Sequence, residues 1–124
     1  MTEGGGPTVW YRVRDFDAGR RFYRDQLGFE EIYFDGLERW SHLRRGEMEI
    51  GLAEGDPEEG GVAHVDVADV MAEADRLREQ GVSVGTVLEL HGEIRLLDVF
   101  DPDGNRVQLA QELSPGGTPD TFVD

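Results

Sequence analysis

The sequence contains no cysteine and no lysine, so all 12 of its basic residues are arginine. Without cysteine there are no disulfides, thiolate metal ligands or cysteine nucleophiles, which suits a reducing, cytoplasmic setting. Nowhere does the chain run for roughly 18 apolar residues, so no membrane-spanning helix is expected. Met1 to Pro7 carries neither a basic nor an apolar segment, so a secretory signal is not expected either. Cations are scarce beside 27 acidic residues, and the formal net charge is −15. A field of that sign repels nucleic acid and anionic membranes, so neither is expected as a partner. The acids are spread along the whole chain and read as a solvated surface; attraction of a cationic ligand is the functional alternative. No Ser-His-Asp order or nucleotide fingerprint occurs, and Gly4-Gly5-Gly6 follows no strand and opens no helix.

What is present is a regular alternation of short elements. At 124 residues the chain suits one domain. Residues 1–7 read as a flexible leader and 113–124 as a tail. Thr8 to Val13 is β-branched and aromatic and predicts a strand. Asp15 or Asp17 caps a helix that Gly28 ends, with Phe16, Phe22, Tyr23 and Leu27 forming its apolar stripe. Strands follow at 29–34, 39–44 and 48–53. A polar, Gly-rich linker covers 55–61. The pattern then restarts with a strand at 62–67, a helix capped by Asp69 and ended by Gly81, and strands at 82–90, 93–100 and 106–112.

The restart is a repeat. A shift of 54 positions (67 − 13) lays Val13 on Val67, Asp15 on Asp69, Ala18 on Ala72, Arg24 on Arg78 and Gln26 on Gln80. One deletion then aligns Gly28 with Gly81. Half a chain would leave an apolar sheet face uncovered, so the modules 8–54 and 62–112 are expected to pack as one domain spanning 8–112.

Three segments carry a resemblance. They are Val13-Arg14-Asp15-Phe16 through Phe22-Tyr23-Arg24-Asp25-Gln26-Leu27-Gly28-Phe29, Val67-Ala68-Asp69 through Gln80-Gly81-Val82, and Phe100-Asp101-Pro102-Asp103-Gly104-Asn105. Together they resemble the vicinal oxygen chelate superfamily, which includes glyoxalase I, bleomycin- and fosfomycin-resistance proteins and extradiol dioxygenases. The resemblance implies an α+β fold. Two tandem βαβββ modules would form an eight-stranded, cup-shaped mixed sheet with helices outside, holding a metal or a ligand. A cup within one chain and a cup built by module exchange in a homodimer both fit the sequence.

Metal-dependent members place a ligand seven residues before the helix-capping Asp in each half, and a carboxylate on the last strand. Here those slots hold Thr8, Val62 and Gln108, and only Glu49, on the fourth strand, matches a family ligand. A divalent catalytic metal needs about three imidazole or carboxylate ligands, which Thr, Val and Gln do not supply. The expected cofactor is therefore none; a displaced divalent metal held by His42, Glu49, His64 and Gln108 is the alternative. Strand alternation puts Trp10, Arg12, His64, Asp66 and Gln108 on the cup face. With Glu49 they are the expected ligand-binding residues, and Trp40 and Phe34 are further candidate aromatic faces. Arg12 and Asp66 are repeat-equivalent, and either form a buried pair or hold opposite ends of a zwitterion. His91 falls at a turn and has no assigned role. Arg20, Arg21, Arg44 and Arg45 read as solvated. The resemblance implies a metal-independent protein that sequesters a small molecule or antibiotic, as a cytoplasmic homodimer. The alternative is a glyoxalase-like lyase or isomerase with Glu49 and His64 in the catalytic roles.

Overall fold

The computed structural model describes residues 9–58 and 60–113. The expected leader, Thr8 and nearly all of the tail lie outside them. The first module runs β1 (Val9–Val13), α1 (Phe16–Arg21), a π-helical turn (Phe22–Gln26), β2 (Glu30–Asp35), β3 (Trp40–Arg45) and β4 (Met48–Glu54). The second runs β5 (Ala63–Asp66), α2 (Val70–Glu79), β6 (Ser83–Val84), β7 (Leu88–Leu90), β8 (Ile94–Phe100) and β9 (Arg106–Glu112). The first sheet is ordered β1-β4-β3-β2 and the second β5-β9-β8-β6, with β7 also on β8. β1–β4 and β5–β9 are parallel and the remaining pairs antiparallel, so both sheets are mixed and have the same topology.

The repeat is visible in atomic detail at the helix caps. Asp15 accepts from the Ala18 amide at 3.1 Å, and Asp69 accepts from the Ala72 amide at 3.1 Å. A carboxylate at this position satisfies an amide that has no partner within the helix. Asp15, not Asp17, is therefore the cap of α1. Past Arg21 the first helix widens: Leu27 N–H reaches the Phe22 carbonyl, five residues back, at 3.0 Å. The extra residue in that turn buries both Phe22 and Tyr23. Gly28, at φ +73, then reverses the chain into β2.

The expected single strand over 82–90 is two strands, so the described residues form nine strands in sheets of four and five. Gly85 still donates its amide to the Asp98 carbonyl at 2.8 Å, after which the chain leaves the ladder until Leu88. A glycine inside a strand weakens it, and this one marks the break.

One core unites the modules. Tyr11, Phe16, Tyr23, Leu43, Ile50 and Leu52 share it with Val65, Val70, Leu77, Leu97, Val107 and Leu109. The Asp101–Asn105 turn fastens the modules together. Asn105 Nδ2 donates to the Arg12 carbonyl at 2.9 Å, and Asp103 accepts from the Arg14 amide at 3.1 Å and guanidinium at 2.9 Å. Tyr11 adds a third link, its hydroxyl donating to the Arg106 carbonyl at 2.5 Å and accepting from Ala63 N–H at 2.8 Å. Burial pushes the Tyr11 phenol up to about 12.

Two arginines expected in solvent are partly buried and paired. Arg20 makes paired 2.8 Å hydrogen bonds to Glu31, which also accepts from the Ser41 hydroxyl. The bonds from Arg20 hold the Glu31 carboxyl below its ordinary range. Arg45 donates to the Leu27 carbonyl at 2.7 Å and to Glu73 at 3.1 Å, joining the β3–β4 hairpin to α2. Both satisfy polar groups between elements, which α1-surface or hairpin periodicity alone does not reveal.

Candidate functional site

The faces of the two sheets turned away from the core carry the expected site residues. On β1 the burial alternates, with Val9, Tyr11 and Val13 buried and Trp10 and Arg12 exposed. On β5 Ala63 and Val65 are buried while His64 and Asp66 are exposed. Gln108 lies between buried Val107 and Leu109. The alternation expected from the sequence therefore holds at all five positions.

The first sheet assembles an aromatic strip. Trp10, Gly51, His42 and Tyr33 are consecutive cross-strand partners over β1, β4, β3 and β2. The Trp10 ring lies on the Gly51 backbone; a Cβ built there would be 2.4 Å from the indole Cε3. Trp10 nevertheless stays 50% exposed. Its centroid is 5.7 Å from that of Trp40, which is 4.9 Å from Tyr33. Tyr33 was not anticipated. A register shift between Glu31 and Tyr33 breaks the alternation of β2, bringing Tyr33 opposite His42. Phe34 instead stacks on Phe16 at 6.1 Å, with the Arg20 guanidinium 3.8 Å from its ring centre, and so belongs to the helix side.

Beside the strip, His42 Nε2 and Glu49 Oε1 are 2.6 Å apart, with side-chain exposures of 17% and 28%. A carboxylate at this distance fixes the ring's orientation.

On the second sheet His64 is the cross-strand partner of Gln108, and Gln108 that of Asp98. Gln108 Nε2 donates to Asp98 Oδ1 at 3.2 Å, and Arg106 reaches Asp98 Oδ2 at 3.3 Å. Asp98 was also missed. It sits on β8, and only the pairing register with β9 places it opposite Gln108.

The expected site thus falls into two clusters. Glu49 joins His42 on the first sheet, while His64 and Gln108 stand on the second, and among the described residues no three His, Asp or Glu side chains are grouped to hold a metal ion. The two family metal slots that can be inspected do not fit a metal. Val62 has no donor atom, and the Gln108 amide is turned to Asp98. Arg12 and Asp66 form no buried pair: both are exposed, and Arg12 sits 3.6 Å from Glu58 of the linker. Two clefts border the clusters. One of about 540 Å³ is lined by Trp10, Glu58, Val62, Asn105 and Arg106 among others. The other, of about 390 Å³, is lined by Met48, His64 and Asp66 with the β3–β4 hairpin.

This paired-module architecture has a family counterpart. Residues 7–109 match the family model described as Glyoxalase/Bleomycin resistance protein/Dioxygenase superfamily. The chain belongs to that superfamily. No sequence among the curated proteins is significantly similar to it. Solved structures of superfamily architecture are similar to it. The antibiotic binding protein TnmS3 from Streptomyces sp. CB03234 has a TM-score of 0.72 at 24% identity, covering 90% of this chain and 98% of that one. The genomically encoded fosfomycin resistance protein FosX from Listeria monocytogenes has a TM-score of 0.72 at 21% identity, covering 97% and 98%. A lactoylglutathione lyase from Agrobacterium tumefaciens has a TM-score of 0.68 at 20% identity, covering 90% and 95%. At these identities the likeness concerns the fold alone. No helix among the described residues is long and apolar enough to cross a membrane.

Proposed function

We propose that this superfamily member is a metal-independent small-molecule-binding protein that sequesters a partly aromatic or cationic ligand, as a homodimer. The observation that carries the reading is the strip Trp10–Trp40–Tyr33, which offers ring faces at a sheet surface instead of filling the core. Aromatic walls with a few polar anchors are the usual make-up of a small-molecule site. Arg12, Glu49, His64, Asp66 and Gln108 supply the anchors. The Val62 and Gln108 side chains at the family's metal slots support independence from metal. The shared fold of an antibiotic binding protein from Streptomyces is compatible with sequestration. Exposed Ile32, Leu88 and Leu90, outside that strip, favour association with a second copy.

The glyoxalase-like alternative has less support. It needs Glu49 and His64 around one metal, and among the described residues no three His, Asp or Glu side chains are grouped to hold one. The test is a thermal-shift screen of cationic and aromatic metabolites on chelator-free protein, with metal analysis and light scattering alongside. A ligand-induced shift abolished by Trp10→Ala, with no stoichiometric metal and a dimer mass, is expected. Stoichiometric metal lost in His64→Ala overturns the metal-free reading.

A further inference from the structure

Trp10 is held in an unusual way for a half-exposed tryptophan. One face of the indole is pressed on the Gly51 backbone, and the ring remains 50% exposed. Gly51 is not among the glycines with positive φ, so nothing in the backbone demands glycine there. What demands it is space: any side chain at residue 51 would occupy the place of the indole. Two residues earlier on the same face of β4 stands Glu49, about 7 Å away along the strand, with His42 at 2.6 Å to hold its carboxylate in place. A carboxylate has about four lone-pair sites, so the contact with His42 does not by itself exhaust it.

Resting on the binding role proposed above, we infer that Trp10 on Gly51 is a stacking shelf, and that Glu49, oriented by His42, reads the edge of the ring lying on it. The ligand class is a planar aromatic ring carrying an in-plane cationic N–H donor, such as an amidinium or a protonated amino-heterocycle. Three features converge on it. The shelf takes a flat π-face rather than a bulky aliphatic group. An indole face attracts a cation. The edge group is an anion on a protein of net charge −15. In this reading Gly51 and His42 are positioning residues, acting through Trp10 and Glu49.

The test uses 4-aminobenzamidine as the planar cation, 4-aminobenzamide as its neutral isostere and tetramethylammonium as a cation with neither ring nor N–H. Binding to the full chain is followed by tryptophan quenching and calorimetry. The amidine is expected to bind at least about tenfold more tightly than the amide, the equivalent of one charge-assisted hydrogen bond. Glu49→Gln should erase that preference. Gly51→Ala should weaken both ring ligands about tenfold and shift tryptophan emission, while a melting curve monitors the fold. His42→Gln should narrow the preference without touching the amide's affinity. Equal binding of amidine and amide, equal competition by tetramethylammonium, or a folded Gly51→Ala protein with unchanged affinity each overturns the inference. The broader binding role fails differently: it falls if the screen yields no ligand, or if Trp10→Ala leaves the binding of every ligand found there intact.

Discussion

Tyr23 donates its hydroxyl hydrogen to Asp101 Oδ2 at 2.8 Å, across 78 positions of sequence and wholly inside the protein. The same carboxylate accepts from the amides of Asp103 and Asn105 at 2.9 Å each and from Asn105 Nδ2 at 2.8 Å. Four donors therefore satisfy one buried charge. They also exhaust it, so the Asp-Pro-Asp-Gly-Asn stretch is a structural knot and not a cation loop. Tyr23→Phe removes one donor and leaves the ring packing unchanged. It should cost about 1–3 kcal/mol in urea unfolding, and Asp101→Ala should cost more, because three further donors lose their acceptor.

The two buried phenols should limit stability at high pH. Tyr23 is held well above its usual range, chiefly by burial and then by the charge of Asp101, and Tyr11 is raised to about 12. The unfolded chain releases these protons near pH 10 and the folded chain does so only above that. Their contribution is complete below about pH 10 and is lost as pH rises toward 12. A denaturation series from pH 8 to 12 should show the decline beginning near 10, with less slope in Tyr11→Phe.

The acid limb has a different origin. Hydrogen bonds from Arg20, ahead of that from Ser41, lower the Glu31 pKa. The stabilisation is present above the unfolded carboxylate value, near 4.5, and is lost as pH falls through the lower folded value. Glu31→Gln should destabilise by about 2 kcal/mol at pH 7 and flatten the acid limb below pH 4.5. A mutant with the same acid limb as the parent would contradict this.

Gln108→Glu restores the carboxylate that metal-dependent superfamily members carry on the last strand. Here the new charge would stand where Gln108 now donates to Asp98 at 3.2 Å. Like charges at that separation repel, so the variant should be less stable than the parent at pH 7 by about 1 kcal/mol. The deficit should shrink as pH is lowered toward 5, measured by melting at both values.

Arg12 and Glu58 form an exposed pair, with side-chain exposures of 49% and 73%. Exposed pairs contribute little. Arg12→Ala should therefore change stability by less than about 0.5 kcal/mol, which makes any loss of ligand affinity in that variant attributable to binding.

Much of the architecture was written in local chemistry. Asp15 and Asp69 cap where the repeat aligns them, and two-residue alternation places Trp10, Arg12, His64, Asp66 and Gln108 on the outer faces. What escaped was set by relations between strands. The shift within β2 exchanges the sides of Tyr33 and Phe34, and no local pattern announces it. Asp98 acquires meaning only from its position opposite Gln108. Arg20 and Arg45 read as solvated because their partners, Glu31, Leu27 and Glu73, come from other elements. The division of the site between two sheets likewise depends on which strands pair, a long-range outcome.

β1 is the outermost strand of its sheet, and an outer strand presents amides and carbonyls to any passing chain. The clasp from Asp103 and Asn105 occupies the Arg12 carbonyl and the Arg14 amide. The turn that unites the modules therefore also caps the far end of that edge, so a foreign strand finds no continuous ladder to extend. Chains cut within residues 55–61 would keep both halves of the sequence but, once separated, would bare this edge. Their fate in solution would be to clump with one another.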